Sequence, residues 1–480
     1  MPVNMTLLTD LYQLTMVGGY YSLGKSQQKA NFDYFFRKIP EDGGFCVAAG
    51  LEQLIDYIQN IHFEPEDIDY LKSLNLFSPD VLKFFEELRF TGDLYAVPEG
   101  TLVFPHEPMI RVTAPLAEAQ FIETALLNIL NFQTLIATKA ARVCIVAGDD
   151  PVIEFGVRRA HGPDGGLSAS RAAFIGGARA TSNLMAGKAF GIPVRGTLAH
   201  SWVESFPTEL ESFQAYCKIY PKNTLLLVDT YDTLRSGVPN AIKVGKELRE
   251  KKEGDLAGIR LDSGDLTFLS REARRLLDEA GFDRTRILGS SDLDEWLIDS
   301  IKKQGAEIDI WGVGTRLVTS YSWAALGGVY KLSAIFENGL MQPKLKVSDD
   351  PEKTTNPGVK KVVRFYDEKN FMRGDVMFFE EEILPQGRPL QAFHPMLSHV
   401  HKAYPAHFKR EEILVPIFQD GKLVYRRPPL EEIQGRAREG LQCHLRPEHK
   451  RLQNPHIYHV SLGEKLFRQK QDLIETAVGE

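Results

Sequence analysis

From residue 142 to 335 the chain repeatedly runs an apolar stretch into a polar or glycine-rich end. RVCIVAG (142–148) is followed by PVIEFGVRR (151–159), PVRGTLAHS (193–201), TLLLVDTYD (224–232), LAGIRLDSGD (256–265), RILGSSD (286–292), IDIWGVGT (308–315) and GVYKLSAI (328–335). Short apolar runs bounded by turn residues predict buried strands. Helical patterns fall between them, at GGLSASRAAFIGGARATSNLMAGKAF, PNAIKVGKELREKKEG, LTFLSREARRLLDEAG and DEWLIDSIKKQG. This alternation predicts βα units and a parallel sheet, an α/β barrel over residues 136–340. The polar residues that end the runs are Arg158, His200, Asp229, Arg260, Asp262, Ser290, Ser291 and Thr315. The carboxyl ends of barrel strands are where such folds build active sites, so the pattern predicts an enzyme.

The flanking regions read differently. Residues 1–135 open with a short helix that Thr9-Asp10 can cap, followed by a strand over 29–40 and amphipathic helices at 51–58 and 78–88. Pro and Gly breaks over 91–115 predict an antiparallel β layer, and AEAQFIETALLNILNFQTLIATKAARV predicts a long helix. Residues 341–480 begin with the polar stretch KVSDDPEKTTNPG and then offer ILVPIFQDGKLVY, a hairpin signal with Asp420-Gly421 at its turn.

Composition narrows the class. A chain of 480 residues exceeds one ordinary domain, and 43% hydrophobic residues can fill a sizeable core. A net charge of −7 disfavours a nucleic-acid or polybasic membrane surface. Cys46, Cys144, Cys217 and Cys443 are far apart, with no C-x-x-C pair, which predicts neither a disulfide framework nor a zinc ribbon and fits a reducing, cytoplasmic setting. The start MPVNMTLLTDLYQLTM lacks the basic and apolar regions of a secretory signal. No run is read as long enough to span a membrane.

Each polar strand end has two readings. Arg158 and Arg159 precede a Gly/Pro-rich loop; they suit phosphates or carboxylates, or form an ordinary surface pair. The aspartates after TLLLV and GIRL can hold ribose hydroxyls or Mg²⁺ that bridges phosphates, or cap the next helix, as Asp232 and Asp265 could. GVGT is a phosphate-binding turn or a structural one. His200 alone would ordinarily be a hydrogen-bonded residue. No strand-end Lys, Cys-His pair or G-x-S-x-G elbow is present among these ends, which disfavours Schiff-base and acyl-enzyme chemistry. A phosphoribosyl donor with Mg²⁺ fits the set, because its ribose, pyrophosphate and developing anomeric charge would each find a partner.

Several runs together resemble the nicotinate phosphoribosyltransferase family: TDLYQLTM (9–16), FDYFFRKIP (32–40), EFGVRRAHGPDGG (154–166), GTLAHSWV (196–203), LVDTYDTLRSGVPNAI (227–242), GIRLDSGDL (258–266), GVGTRLVTS (312–320) and LGGVYKL (326–332). The resemblance covers nearly the whole chain. It implies an irregular α/β barrel of the type II phosphoribosyltransferase kind, joined to a second α/β domain built from both chain ends, and a homodimer with shared active sites. It implies the reaction of nicotinate with phosphoribosyl pyrophosphate to give nicotinate mononucleotide and pyrophosphate, coupled to ATP hydrolysis, in NAD salvage.

The resemblance also implies residue roles. His200 is the histidine that ATP phosphorylates; Phe155 stacks on the pyridine ring, and Tyr12 reaches that ring from the neighbouring subunit. Arg260 and Thr197 contact the nicotinate end, and Arg158 binds phosphate. Asp229 and Asp262 hold ribose and the Mg²⁺-pyrophosphate, with Asp262 the candidate protein ligand for a metal held mainly by pyrophosphate. Gly312, Gly314 and Thr315 cradle the 5′-phosphate, and Ser201, Ser290 and Ser291 complete the substrate-binding set. Relatives that use the amide carry an Asp where this chain aligns Ala178, which points to the acid. Cys443 and His444 have no second Cys nearby, so no structural zinc is expected. Two alternatives remain at this stage: a sibling enzyme that uses nicotinamide or quinolinate, and a catalytically silent sugar-phosphate-binding protein.

Overall fold

The computed structural model describes residues 4–222, 224–397 and 399–479. The start of the MPVNMTLLTDLYQLTM segment, residues 1–3, lies outside the described residues. The fold is mixed α/β and divides into two compact units. One takes the chain from Ile136 to Ala324; the other combines the chain up to Leu135 with the chain from Ala325 onward.

The 136–324 unit is organised by six strands: β1 (Val152–Glu154), β2 (Ala180–Thr181), β3 (Leu225–Leu227), β4 (Gly258–Leu261), β5 (Arg286–Ser291) and β6 (Ile310–Val313). All pairings are parallel, in the order β2-β1-β6-β5-β4-β3. After β2 the chain crosses to the far edge and works back inward, so β1 and β6 become neighbours although about 150 residues separate them. Among the described residues the order has two ends, β2 and β3, so the expected barrel takes the form of an open parallel sheet. Ile153, Ala180, Leu288 and Ile310 pack together as part of its buried core. Asp265 and Asp294 cap the helices that follow β4 and β5 by accepting from Phe268 and Leu297 backbone N–H groups.

Three strand expectations are corrected. RVCIVAG is the end of the helix Glu123–Ala147, not a strand; a run of buried Val and Ile has no period that distinguishes strand from buried helix. That 25-residue helix is also long and apolar enough to cross a membrane by length and composition, contrary to the sequence reading, but 72% of its most apolar window is buried inside the protein. GVYKLSAI forms the strand Gly328–Glu337, which pairs antiparallel with Lys29–Phe36, so it belongs to the other unit and the parallel unit ends at Ala324 rather than 340. PVRGTLAHS contributes only an isolated bridge, Thr181 to Val194. The helix expected over 165–190 is two helices, Gly162–Ile175 and Leu184–Phe190, with β2 between them. Gly177, at φ +119°, makes that break.

The two-ended unit differs from the α/β domain anticipated for it. Its seven-stranded sheet is antiparallel throughout, and its six-stranded sheet has one parallel pairing, Met372–Phe379 with Val460–Gly463. The Asp420-Gly421 hairpin is present, joining Val415–Gln419 to Lys422–Leu423. Asp10 sits at the start of the helix Leu11–Ser22 but makes no side-chain cap; its carboxylate accepts instead from Thr124 Oγ1 at 2.9 Å.

Candidate active site

The carboxyl ends of β1 and β3–β6, with the 194–204 segment after β2, bring most of the anticipated residues into one hydrogen-bonded group. Arg260, on β4, is its centre. Its Nε donates to Ser290 Oγ at 2.8 Å, Nη1 to Thr197 Oγ1 at 3.0 Å and Nη2 to Asp262 Oδ1 at 2.7 Å. Ser290 Oγ in turn donates to the same Asp262 oxygen at 2.6 Å. A guanidinium carries five N–H donors, so three bonds lock its plane and two donors remain for a ligand. The plane lies 5.6 Å from the centre of the Phe155 ring, within cation–π range.

Phe155 is placed from both sides. Its N–H donates to Val313 O at 2.8 Å, which continues the β1–β6 pairing by one residue. Its ring occupies the space above Gly312: a Cβ there would come within 2.7 Å of Phe155 Cδ2 and 2.8 Å of Cε2. Only glycine at this position leaves room for the ring to approach the strand so closely. Gly312 therefore serves the aromatic floor, a role the phosphate-cradle expectation did not include. Gly314 and Thr315 follow at the start of the short helix Thr315–Val318.

Asp229, just past β3, accepts from the Asp262 N–H at 2.8 Å and from Ser263 Oγ at 2.6 Å through Oδ2. It thus braces the turn after β4. Its Oδ1 is buried and has no hydrogen-bond partner among the described residues, an acceptor whose desolvation is uncompensated until a ligand donates to it. His200 opens the short helix His200–Glu204. Its Nδ1 lies 3.1 Å from Thr230 Oγ1 and its Nε2 3.9 Å from Asp262 Oδ2. With Nδ1–H donating to the threonine, Nε2 keeps its lone pair.

The remaining expectations are placed less centrally. Arg158 is exposed on the turn Val157–Arg159, and Ser201 is exposed beside His200. Ser291 ends β5 with φ 134°, a conformation that strains a residue bearing a Cβ and is often kept at functional sites. Ala178 is buried. Tyr12 lies in the other unit, on the helix Leu11–Ser22, with 49% of its surface exposed. Burial, and then the charges of Glu123 and Asp10, push its hydroxyl pKa upward.

Four residues of the site were not singled out from the sequence: Thr230, Ser263, Asn183 and Glu154. Glu154 had a readable signal, a carboxylate at the end of an otherwise apolar, fully buried strand. The others were not distinguishable from ordinary turn residues. Among the described residues no three His, Cys, Asp or Glu side chains converge as a metal centre would require.

The family model for the nicotinate phosphoribosyltransferase (NAPRTase) N-terminal domain matches residues 7–131, and that for the nicotinate phosphoribosyltransferase C-terminal domain matches residues 359–470. Nicotinate phosphoribosyltransferase of Bacillus subtilis (strain 168) is 47% identical over 473 residues, 98% of this chain and 95% of the relative. That of Homo sapiens is 35% identical over 520 residues, 96% of this chain and 95% of the relative. The crystal structure of human nicotinic acid phosphoribosyltransferase superposes with a TM-score of 0.85 at 31% identity, covering 97% of this chain and 99% of that one. A nicotinate-nucleotide pyrophosphorylase from Pyrococcus furiosus shares the fold, with a TM-score of 0.70 at 22% identity over 92% of this chain and 95% of that one.

Proposed function

The chain belongs to the nicotinate phosphoribosyltransferase family, and on that premise we propose that it joins nicotinate to phosphoribosyl pyrophosphate, coupled to ATP hydrolysis through phosphorylation of His200, in a homodimer of the cytoplasm. The observation that carries the substrate assignment is the Arg260 clamp beside the Phe155 ring. A flat guanidinium with two spare donors suits a carboxylate, and an aromatic face next to it suits the pyridine that bears that carboxylate.

In the transfer step the pyridine nitrogen bonds to the anomeric carbon while the bond from that carbon to pyrophosphate breaks, and the pyrophosphate oxygen keeps the electron pair. Arg260 and Phe155 hold the acceptor ring. The buried Oδ1 of Asp229, which has no hydrogen-bond partner among the described residues, is the acceptor assigned to a ribose hydroxyl. Holding both reactants in register removes much of the entropic cost of the step. Mg²⁺ fits the partly exposed Asp262 carboxylate, a hard oxygen donor; with no group of three metal-ligating side chains among the described residues it would be held mainly by pyrophosphate. When bound, it offsets the charge of the leaving group. Arg158, Gly314, Thr315, Ser201 and Ser291 are assigned to the phosphate and ribose of the donor.

His200 Nε2 bonds to the γ-phosphorus of ATP as the bond to the ADP oxygen breaks, which splits one difficult transfer into two. Support comes from Thr230, which occupies Nδ1 and leaves Nε2 for chemistry. The dimer is supported by exposed apolar side chains around Tyr12, namely Met5, Leu8, Leu11 and Met16, a cluster of the kind that marks protein contacts. The four free cysteines support a reducing compartment. The test is nucleotide formation by the purified chain from nicotinate, nicotinamide or quinolinate, with and without ATP, alongside His200→Ala. Nicotinate should be the acceptor used and ATP should accelerate it; the alanine variant should lose acid-labile labelling from γ-labelled ATP while slow transfer persists. Labelling that survives in the variant would remove the phosphohistidine.

A further inference from the structure

We infer that Glu154 is a positioning residue for nicotinate: its buried carboxyl group fixes the backbone turn that carries Phe155, and so sets affinity for the aromatic acceptor without touching it. The inference rests on the reading of Phe155 as the pyridine platform.

Glu154 ends β1 and is completely buried. One of its oxygens, Oε1, accepts the Gly156 N–H, closing a turn around Phe155 itself. The other, Oε2, accepts from Ser170 Oγ at 2.9 Å and from Thr181 Oγ1 at 2.5 Å. Ser170 lies on the helix Gly162–Ile175 and Thr181 on the edge strand β2, so one carboxyl group ties three segments to the residue before the platform. Asn183 completes the arrangement. Its backbone N–H donates to Thr181 Oγ1 at 3.0 Å and its Nδ2 to Ser170 Oγ at 3.2 Å. Each hydroxyl can therefore accept from Asn183 while it donates to Glu154.

The consequence for Phe155 is mechanical. Its N–H is fixed to Val313, its ring is packed against Gly312, and the peptide after it is fixed to Glu154. Without the last of these, the turn at Gly156 loses the anchor that Glu154 supplies, and the ring is free to tilt away from the Arg260 plane. A glutamine in place of Glu154 keeps the shape but presents an NH₂ group where an acceptor is needed. Ser170 can redirect its hydroxyl to Gly166 O, 3.0 Å away; Thr181 then has lost its short acceptor. The effect should fall on binding of the acceptor ring, because the Asp229–Asp262 turn and Thr315 do not depend on this network.

The experiment is steady-state kinetics with each substrate varied, on the wild-type chain, Glu154→Gln, Thr181→Val and Phe155→Leu. The expected result is a nicotinate KM raised roughly tenfold in Glu154→Gln and several-fold in Thr181→Val. In both, KM for phosphoribosyl pyrophosphate and kcat at saturating nicotinate should stay within about twofold. Phe155→Leu should raise the nicotinate KM at least as much, and Glu154→Gln placed on that background should add little to it. If Glu154→Gln does not fold, Thr181→Val alone decides. An unchanged nicotinate KM in the folded variants, or a parallel change in both KM values and kcat, overturns the inference. Wild-type turnover of nicotinate with a KM indifferent to Phe155→Leu would instead overturn the platform reading on which it rests.

Discussion

The two units use the same kinds of charged residue in opposite ways. In the two-ended unit, Arg364 and Asp375 are buried and joined by two bonds, Nε to Oδ1 at 2.9 Å and Nη2 to Oδ2 at 2.7 Å. Arg364 also donates to Leu102 O, and Tyr458 donates to Asp375. Burial, and then the nearby Asp375 charge, push the Glu107 carboxyl well above the usual carboxylate range. In the parallel unit, Arg260 and Asp262 make an equally short contact of 2.7 Å, but the pair is partly exposed. Arg260 keeps two spare donors, and Asp229 a buried acceptor without a partner among the described residues. Where an ion pair is buried and the guanidinium bonds are spent within the fold, charge serves architecture; where a partly exposed guanidinium keeps donors unspent, charge is available to a substrate.

This contrast can be broken most forcefully in the buried cluster. Asp375→Asn removes the charge partner of Arg364 and should cost about 3–5 kcal/mol of stability, as expected for a buried pair that loses one member. Asp262→Asn, the matching change at the rim, should cost about 1 kcal/mol or less, because solvent screens the pair. Denaturant unfolding of both variants checks this. Equal losses would mean that the two ion pairs do not differ as their burial indicates.

A smaller effect concerns acid. Burial, then the Lys470 charge, lowers the His106 pKa to about 4, and burial, then the Lys402 charge, lowers that of His459 to about 4. An unfolded histidine titrates at about 6.5. Between these values the unfolded chain binds more protons than the folded one, so stability rises with pH. The contribution is complete above about pH 6.5 and is lost progressively as pH falls toward about 4. Denaturation midpoints at pH 7 and pH 5, compared with those of His106→Gln and His459→Gln, should show a shallower acid loss in the variants. Parallel pH dependence in all three proteins would assign the acid sensitivity elsewhere.

The same contrast explains what the sequence could disclose. Five of the six parallel strands were legible because each is a short apolar run that stops at a polar or glycine-rich end, whereas β2 lay inside a stretch read as helix; Asp229, Arg260, Asp262 and Ser290 were legible as such stops. The roles as helix caps weighed for Asp232 and Asp265 are both realised, through bonds to Leu234 and Arg235 and to Phe268. The partners were not legible. That Thr197 and Ser290 lock Arg260, or that Asp229 braces the next turn, depends on contacts between residues about 30 to 60 positions apart. The strand Gly328–Glu337 was misassigned for the same reason, since its partner Lys29–Phe36 lies some 300 residues away. Ser291 offered no Gly or Asn to announce its positive φ.

The measurement that tests the central claim most directly is the catalytic efficiency of Arg260→Lys with nicotinate. Lysine keeps the charge but cannot hold three hydrogen bonds in one plane and still offer two donors to a carboxylate. A loss of one charge-assisted contact, about 1.5–3 kcal/mol, predicts a fall in kcat/KM of roughly ten- to a hundredfold. That fall should come with wild-type stability and an unchanged KM for phosphoribosyl pyrophosphate. Full efficiency with nicotinate in the lysine variant would contradict the account, because the acid would then be read somewhere other than the Arg260 clamp.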